Sequence, residues 1–109
     1  MEDKQFMSKN FSLVYFKNYM DFEYIAKENI VVRFSEDENK KASVYMKHND
    51  VSRKIIEFDS GINEVFTSIS PDSFMYISLD YQQRLFERNI CRRVNDIDEF
   101  IQEMIYDND

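Results

Sequence analysis

Two side-chain types that commonly carry acid–base or nucleophilic chemistry occur once each in this sequence, at His48 and Cys91. A general acid or base needs an orienting partner in a pocket, and a zinc site needs three or four ligands within tetrahedral reach. His48 precedes Asn49 and Asp50 in a pattern typical of a turn, so we interpret it as a solvated turn residue. The sequence therefore predicts no enzyme, no cofactor and no metal site.

Cys91 has three arginines near it in the sequence, at positions 88, 92 and 93. Positive charge close to a thiol can lower its pKa and make it a nucleophile. A lone cysteine is far more often a small buried apolar residue, and that is our interpretation here. Gly61 is the only glycine, so the chain contains neither a glycine-rich phosphate loop nor the nucleophile elbow of hydrolases. These observations favour a protein that performs no chemistry of its own.

Carboxylates are abundant and sorted into two segments. One is the run Glu36, Asp37 and Glu38, and the other is residues 95–109, which carry six carboxylates and no lysine or arginine. Neither segment has the spaced ligands and central glycine of a calcium loop, so both are interpreted as solvated acidic surface. A net charge of −7 is repelled by nucleic acid and by anionic membranes and attracted to basic protein surfaces.

An arginine cluster precedes the acidic C-terminal segment, with four arginines in residues 84–93. Such a row can grip phosphate or a carboxylate-rich partner. Glu87 and the acidic segment that follows offer partners within the chain, so we expect partly solvated arginines paired with Asp or Glu. Arg88 and Arg92 remain secondary candidates for contact with another protein.

The clearest predicted element is a C-terminal helix over 96–106, with Asn95 as its N-cap. Its apolar residues recur at the helical spacing i, i+3, i+4, i+7 and i+8, and its opposite face is anionic. The apolar residues are Ile97, Phe100, Ile101, Met104 and Ile105.

Alternating residues predict an antiparallel meander of three strands, at about 30–34, 42–46 and 53–58. In the third strand, Ile56 and Phe58 are expected on one face, and Ile55 and Glu57 on the other. Because Gly and Pro occur once each, tight primed turns are not expected, and connections should be polar loops of several residues.

Four other segments complete the prediction. A short helix over 62–69 ends at Ser70 and Pro71, and alternation over 73–81 predicts a further strand. For 82–94 we favour a helix, with a strand as the open alternative. For 11–27 we expect a strand followed by irregular or helical chain.

The chain is expected to form one domain, residues 1–109, of the α+β class. The expected architecture is a mainly antiparallel sheet of about four strands with two or three helices packed on it, the last one acidic on its outer face. No apolar run approaches the roughly 20 residues that span a bilayer. A single cysteine and a charged start favour a cytoplasmic protein.

In size, acidity and lack of catalytic motifs, the chain is similar to small phage-encoded inhibitors of bacterial defence, such as anti-CRISPR and anti-restriction proteins. This resemblance, one of composition, implies a protein that blocks the basic nucleic-acid-binding region of a nuclease and does not itself bind nucleic acid or membrane. The predicted partner-binding residues are Glu36, Asp37, Glu38, Asp98, Glu99 and Glu103, with Arg88 and Arg92 as secondary contacts.

Three other functions stay open at this point. An immunity protein or antitoxin that neutralises a cationic toxin would need the same small acidic domain. An unfamiliar enzyme would use His48 or Cys91. A structural subunit would use the 16% of aromatic residues as a homo-oligomer interface.

Overall fold

The structure, a computed structural model, describes the backbone of residues 11–16, 19–27 and 29–107, and the side chains of 23–26 and 29–106. The strands and helices follow one another in the order β1 (Phe11–Phe16), β2 (Tyr19–Lys27), β3 (Ile30–Glu36), β4 (Ala42–His48), β5 (Val51–Phe58), α1 (Ile62–Ser68), α2 (Pro71–Arg88), β6 (Arg92–Val94) and α3 (Ile97–Asp107).

The six strands form one sheet in which spatial order follows chain order from β1 to β6. Each pair from β1 to β5 is antiparallel, whereas β6 lies parallel to β5 after the connection through α1 and α2. The predicted α+β class, with a mainly antiparallel sheet and a C-terminal helix, is confirmed. The sheet is larger than expected because 11–27 supplies two strands and 92–94 supplies another.

The core lies between one face of the sheet and the helices. Along β3, Ile30, Val32 and Phe34 are buried and alternate with half-buried residues, as the period of a strand requires. The ring of Phe34 packs against Phe66 of α1 and Phe74 of α2, with centroids 5.0 and 5.3 Å apart. The meander of β3, β4 and β5 and the short helix α1 are therefore confirmed, and their apolar residues build one core.

The predicted strand over 73–81 is wrong, because this segment belongs to helix α2. Pro71 occupies the first turn, and the Ser70 hydroxyl accepts a hydrogen bond from the Ser73 amide at 3.2 Å, so the helix has a well-formed start. The buried face of α2 includes Ser78 and Gln82, whose side chains hydrogen-bond each other at 2.8 Å. These two polar residues interrupt the apolar stripe and conceal its helical period.

The helix favoured for 82–94 is correct as far as Arg88. Asn89 then adopts a left-handed conformation, with φ of 55°, and its amide donates to the carbonyls of Leu85 and Phe86, which ends α2. The strand alternative applies only to β6, where Val94 pairs with Phe58.

For 11–27, the expected first strand is present as β1. The irregular or helical chain expected after it is instead strand β2, whose first six residues pair with β1. The aromatic residues of this segment occur all round a helical projection, and pairing with β3 determines the strand conformation.

Two local predictions about chain reversals are also wrong. Asn49 and Asp50 connect β4 to β5 directly, and their φ values of 52° and 70° are those of a tight type I′ turn. Asn and Asp tolerate positive φ, so this turn needs no glycine. At α3 the cap is Asp96 rather than Asn95, since Asp96 Oδ1 accepts a hydrogen bond from the Glu99 amide at 3.1 Å.

In β5 the expected separation of Ile55 from Ile56 onto opposite faces is also wrong, because both side chains are buried. The register between β4 and β5 shifts at this point: Val44 pairs with Ile56, and Tyr45 pairs with Lys54. Ile55 is the additional residue of a β-bulge, which turns its side chain out of the strict alternation.

Candidate interaction surface

Three of the connections that the structure describes lie side by side at one end of the sheet. β3 ends where β4 begins, and β5 ends beside the start of β4 because these strands are antiparallel. β6 is parallel to β5 and therefore ends there as well, two residues before α3 begins. The topology thus places residues 37–41, 59–61 and 95–96 next to one another.

Hydrogen bonds join these connections. The Ala42 amide donates to the Ser60 carbonyl at 2.8 Å, and the Asp59 amide donates to the Val94 carbonyl at 3.0 Å. The Lys41 ammonium lies 3.8 Å from the Asp59 carboxylate. Main-chain bonds of this kind hold the connections in fixed relative positions.

We call these three connections, together with the end of β3 and the first turns of α1 and α3, the acidic end. It brings the run 36–38 and the start of the segment 95–109 to one end of the sheet. It contains two lysines, Lys40 and Lys41, and eight carboxylates: Glu36, Asp37, Glu38, Asp59, Glu64, Asp96, Asp98 and Glu99. Most of these carboxylates are exposed, so the region presents a surface of predominantly negative charge.

Asp37 is committed to the turn between β3 and β4. Its Oδ1 accepts hydrogen bonds from the amides of Asn39 at 2.9 Å and Lys41 at 3.0 Å. Lys40 has a positive φ of 62°, and its amide donates to the Asp37 carbonyl at 2.9 Å. The Asp37 side chain therefore shapes the loop, whereas the neighbouring Glu38 is exposed.

Glu36 is also engaged within the protein. Its half-buried carboxylate accepts a hydrogen bond from the Ile62 amide at the start of α1. A Cβ atom placed on Gly61 would lie 2.7 Å from Glu36 Oε2 and 3.1 Å from the Lys40 carbonyl oxygen, so a larger residue there would displace the Glu36 carboxylate. Burial raises the pKa of the Glu36 carboxyl, although Lys40 and the Ile62 amide act in the opposite direction.

We expect Glu36→Gln to be more stable than the parent protein near neutral pH. A folded-state pKa above the unfolded one contributes stability at low pH that is lost as pH rises through the folded-state pKa. Glutamine keeps an acceptor for the Ile62 amide without the buried charge. Thermal unfolding as a function of pH should show the advantage shrinking on acidification, and the exposed control Glu38→Gln should show no such trend. A constant advantage at every pH would contradict this explanation.

Arg92 and Glu103, both predicted to contact a partner, bind each other. The guanidinium of Arg92 donates to Glu103 Oε1 at 2.9 Å and to the Tyr81 hydroxyl at 2.8 Å. It also lies over the ring of Phe100, 5.0 Å from the centroid. The expected pairing of an arginine with the acidic helix is thus present at Arg92, and this group ties β6 to α2 and α3.

Replacing Arg92 with lysine should lower the free energy of unfolding by about 1–2 kcal/mol, because a single ammonium cannot bridge the Tyr81 hydroxyl and Glu103 while covering the ring. Urea unfolding measures this change. The matched control is Arg88→Lys, on the exposed last turn of α2, which should stay within about 0.5 kcal/mol. Equal effects of the two substitutions would show that the Arg92 contacts add no stability.

The other arginine candidate, Arg88, lies away from the acidic end. Two residues before it, Phe86 accepts a hydrogen bond from the Arg53 guanidinium at 2.6 Å, and its ring lies 5.9 Å from the His48 ring. His48 ends β4 and Arg53 is near the start of β5, so this contact is at the opposite end of the sheet. Arg88 and the acidic residues therefore do not form one surface.

Cys91 is exposed, so its interpretation as a buried apolar residue is wrong. Its pKa is raised, chiefly by desolvation and then by Glu57, which outweigh Lys54 and Arg93. The net shift of the Cys91 pKa is therefore opposite to the one that the neighbouring arginines would produce. His48 is half-buried beside Phe86 rather than fully solvated in the turn.

Sequence reasoning did not identify a groove of about 600 Å³ on the face of the sheet that points away from the helices. The alternation of β3 and β4 was a usable signal, because residues between the buried positions must lie on this face. Two acidic and two basic side chains line the groove, so it does not share the predominantly negative charge of the acidic end. Its lining residues are Glu23, Val31, Arg33, Ser35, Tyr45, Lys47, Asp50 and Ser52.

Among the described residues, no cluster of three or more His, Cys, Asp or Glu side chains has an arrangement that could hold a metal ion. The helices within that part of the chain include none with the length and apolarity needed to cross a bilayer. No protein-family model matches the chain, and neither curated proteins nor solved structures give a significant match.

Proposed function

We propose that this protein is a non-enzymatic inhibitor that binds a larger protein through the acidic end and blocks a basic, nucleic-acid-binding region. The observation that carries the proposal is the gathering, among the described residues, of eight carboxylates and only two lysines on three adjacent connections and the element ends that flank them. A nuclease holds phosphates with Lys and Arg side chains, and a dense carboxylate surface competes for the same side chains.

The order of the acidic end supports this proposal. Its connections are held by main-chain hydrogen bonds between Ala42 and Ser60 and between Asp59 and Val94, and by the turn bonds of Asp37. A preorganised surface loses less conformational entropy on binding than mobile loops would. Long-range attraction between opposite charges also raises the association rate, which suits an inhibitor that must compete with nucleic acid.

The predicted contact residues differ in whether their side chains already make hydrogen bonds within the protein. Glu38, Asp98 and Glu99 are exposed, and we propose them as the principal contacts. The carboxylates of Glu36 and Asp37 hold the loop, and Glu103 and Arg92 hold each other. We propose that these four residues support the surface, and Arg88 lies at the other end of the sheet.

The test is binding of the full chain to a panel of purified DNA- and RNA-cleaving defence effectors and basic toxins. Affinity should fall steeply as salt is raised from roughly 50 to 300 mM, since screening weakens exposed charge pairs. Nucleic acid should displace the protein from its partner, and cleavage should be inhibited. Binding confined to a toxin would instead select the immunity-protein function. Absence of salt-sensitive binding across the panel, or binding without competition by nucleic acid, would refute the proposal.

A further inference from the structure

Strand β1 is the outermost strand of the sheet. Within the residues that the structure describes, it pairs with β2 on one side and has no strand on the other. The pairing runs through six residue pairs, from Phe11 with Tyr24 to Phe16 with Tyr19, without a bulge. The outward N–H and C=O groups of such a strand form a template for another strand.

The sequence of β1, FSLVYF, contains none of the residues that commonly protect a sheet edge. It has no charge, proline or glycine. The opposite edge differs, because β6 has only three residues and two of them, Arg92 and Arg93, are arginines. If β1 of one copy paired with β6 of a second copy, the paired segment would therefore be short. This favours a closed pair over an open chain of copies.

Charge decides how a second copy would be oriented. β1 runs in the same direction as β3, towards the acidic end, because both are antiparallel to β2. Parallel pairing of two β1 strands would place two acidic ends side by side in a protein of net charge −7. Antiparallel pairing about a two-fold axis places them at opposite ends, where their repulsion is screened.

A groove of about 490 Å³ beside this edge offers further contact area. It lies between β2 and α2, one strand in from β1, and is lined by Tyr24, Asp72, Ser73, Tyr76 and Ile77. Tyr76 is 89% exposed, and exposed tyrosines of this kind are enriched in protein interfaces. A two-fold axis perpendicular to the sheet puts both helical layers on one face, so the groove of each copy borders the junction.

We propose that two copies of this protein pair through antiparallel β1 strands to form a continuous twelve-stranded sheet. The acidic ends remain at the two outer ends of the dimer, available to separate partners. The pairing uses backbone groups that the proposed inhibitory surface does not, so it stands independently of that function.

Sedimentation velocity of the full chain over roughly 1 µM to 1 mM covers the affinities expected for such an interface. The expected result is a species of twice the 13.3 kDa monomer mass. Leu13→Pro and Val14→Pro form a matched pair, since successive residues of a strand point their N–H groups to opposite sides. In one of the two variants, the lost N–H is bonded to β2, so that variant should have a lower Tm. In the other, the lost N–H faces the second copy, so that variant should keep the parent Tm and be monomeric.

Val14→Lys is a second variant that leaves every backbone group in place. It should also be monomeric, because a lysine in the middle of β1 meets the second copy near the two-fold axis. Tyr106→Lys, on the exposed face of α3, is the control and should remain dimeric. A parent protein that stays monomeric at the highest concentration, or a folded Val14→Lys variant that stays dimeric, would overturn the proposal.

Discussion

Replacing Phe34 with alanine is expected to lower the free energy of unfolding by about 3–5 kcal/mol. Phe34 is completely buried and is in contact with the rings of Phe66 and Phe74. The substitution removes a contact that joins the central strand β3 to both α1 and α2, and leaves a cavity that this close-packed core can fill only in part. Such a loss is a large fraction of the roughly 5–15 kcal/mol by which small domains are stable.

Urea unfolding followed by circular dichroism measures this change. The control is Tyr106→Ala, which removes another large aromatic ring from α3, but at a position that is 71% exposed. It should change the free energy of unfolding by about 0.5 kcal/mol or less. A Phe34→Ala protein with nearly the parent midpoint would mean that the three rings do not form the centre of the core.

Reversing Glu38, Asp98 and Glu99 together to lysine should slow association with the partner by about tenfold to a hundredfold at low salt. It should also flatten the salt dependence of the rate, because the steering charges have changed sign. Stability should fall by about 1–2 kcal/mol, because Asp98 and Glu99 lie in the first turn of α3, where a positive charge opposes the helix dipole. The sequence alone favoured including Glu103. Reversing that residue would also break its bond to Arg92, so an effect on binding could not be separated from an effect on stability.

The matched control reverses Asp72, Asp80 and Glu87, three exposed acids outside the acidic end. All three lie on α2, and Asp72 is in its first turn, as Asp98 and Glu99 are in the first turn of α3. Both triple variants have the same net charge, so a difference between them reports position alone. Stopped-flow association at several salt concentrations provides the measurement. If both variants slow association equally, overall charge rather than the acidic end attracts the partner.

The short-range patterns of the sequence predicted those elements whose buried side is purely apolar. Ile30, Val32 and Phe34 alternate without interruption, so β3 could be recognised before any partner strand was known. α2 could not be recognised in this way. Ser78 and Gln82 are hydrogen-bonded to each other inside the core, and the pattern of apolar residues along the chain gives no sign of that bond. A buried polar pair is visible only when both of its members are placed.

The candidate site shows the same division. Glu38, Asp98 and Glu99 could be selected from composition, since clustered acids without counter-charges remain on the surface. Their placement at the same end of the sheet could not be derived, because it requires β6 to lie parallel to β5, which sets the start of α3 at the end that holds the β3–β4 loop. The hydrogen bond of the Glu36 carboxylate could not be derived either, because its donor is the amide of Ile62, 26 residues away in the chain.

The sequence by itself determined the class of the fold, the acidic surface and the elements with a regular apolar period, since these depend on neighbouring residues. The tertiary structure alone decided that 73–81 is helical, that Asp37 and Glu103 accept hydrogen bonds from other residues of the chain, and that two distant acidic segments lie at the same end of the sheet. The physical reason is that hydrogen bonds and packing between remote segments are strong enough to override local preference, and their partners are not adjacent in the chain.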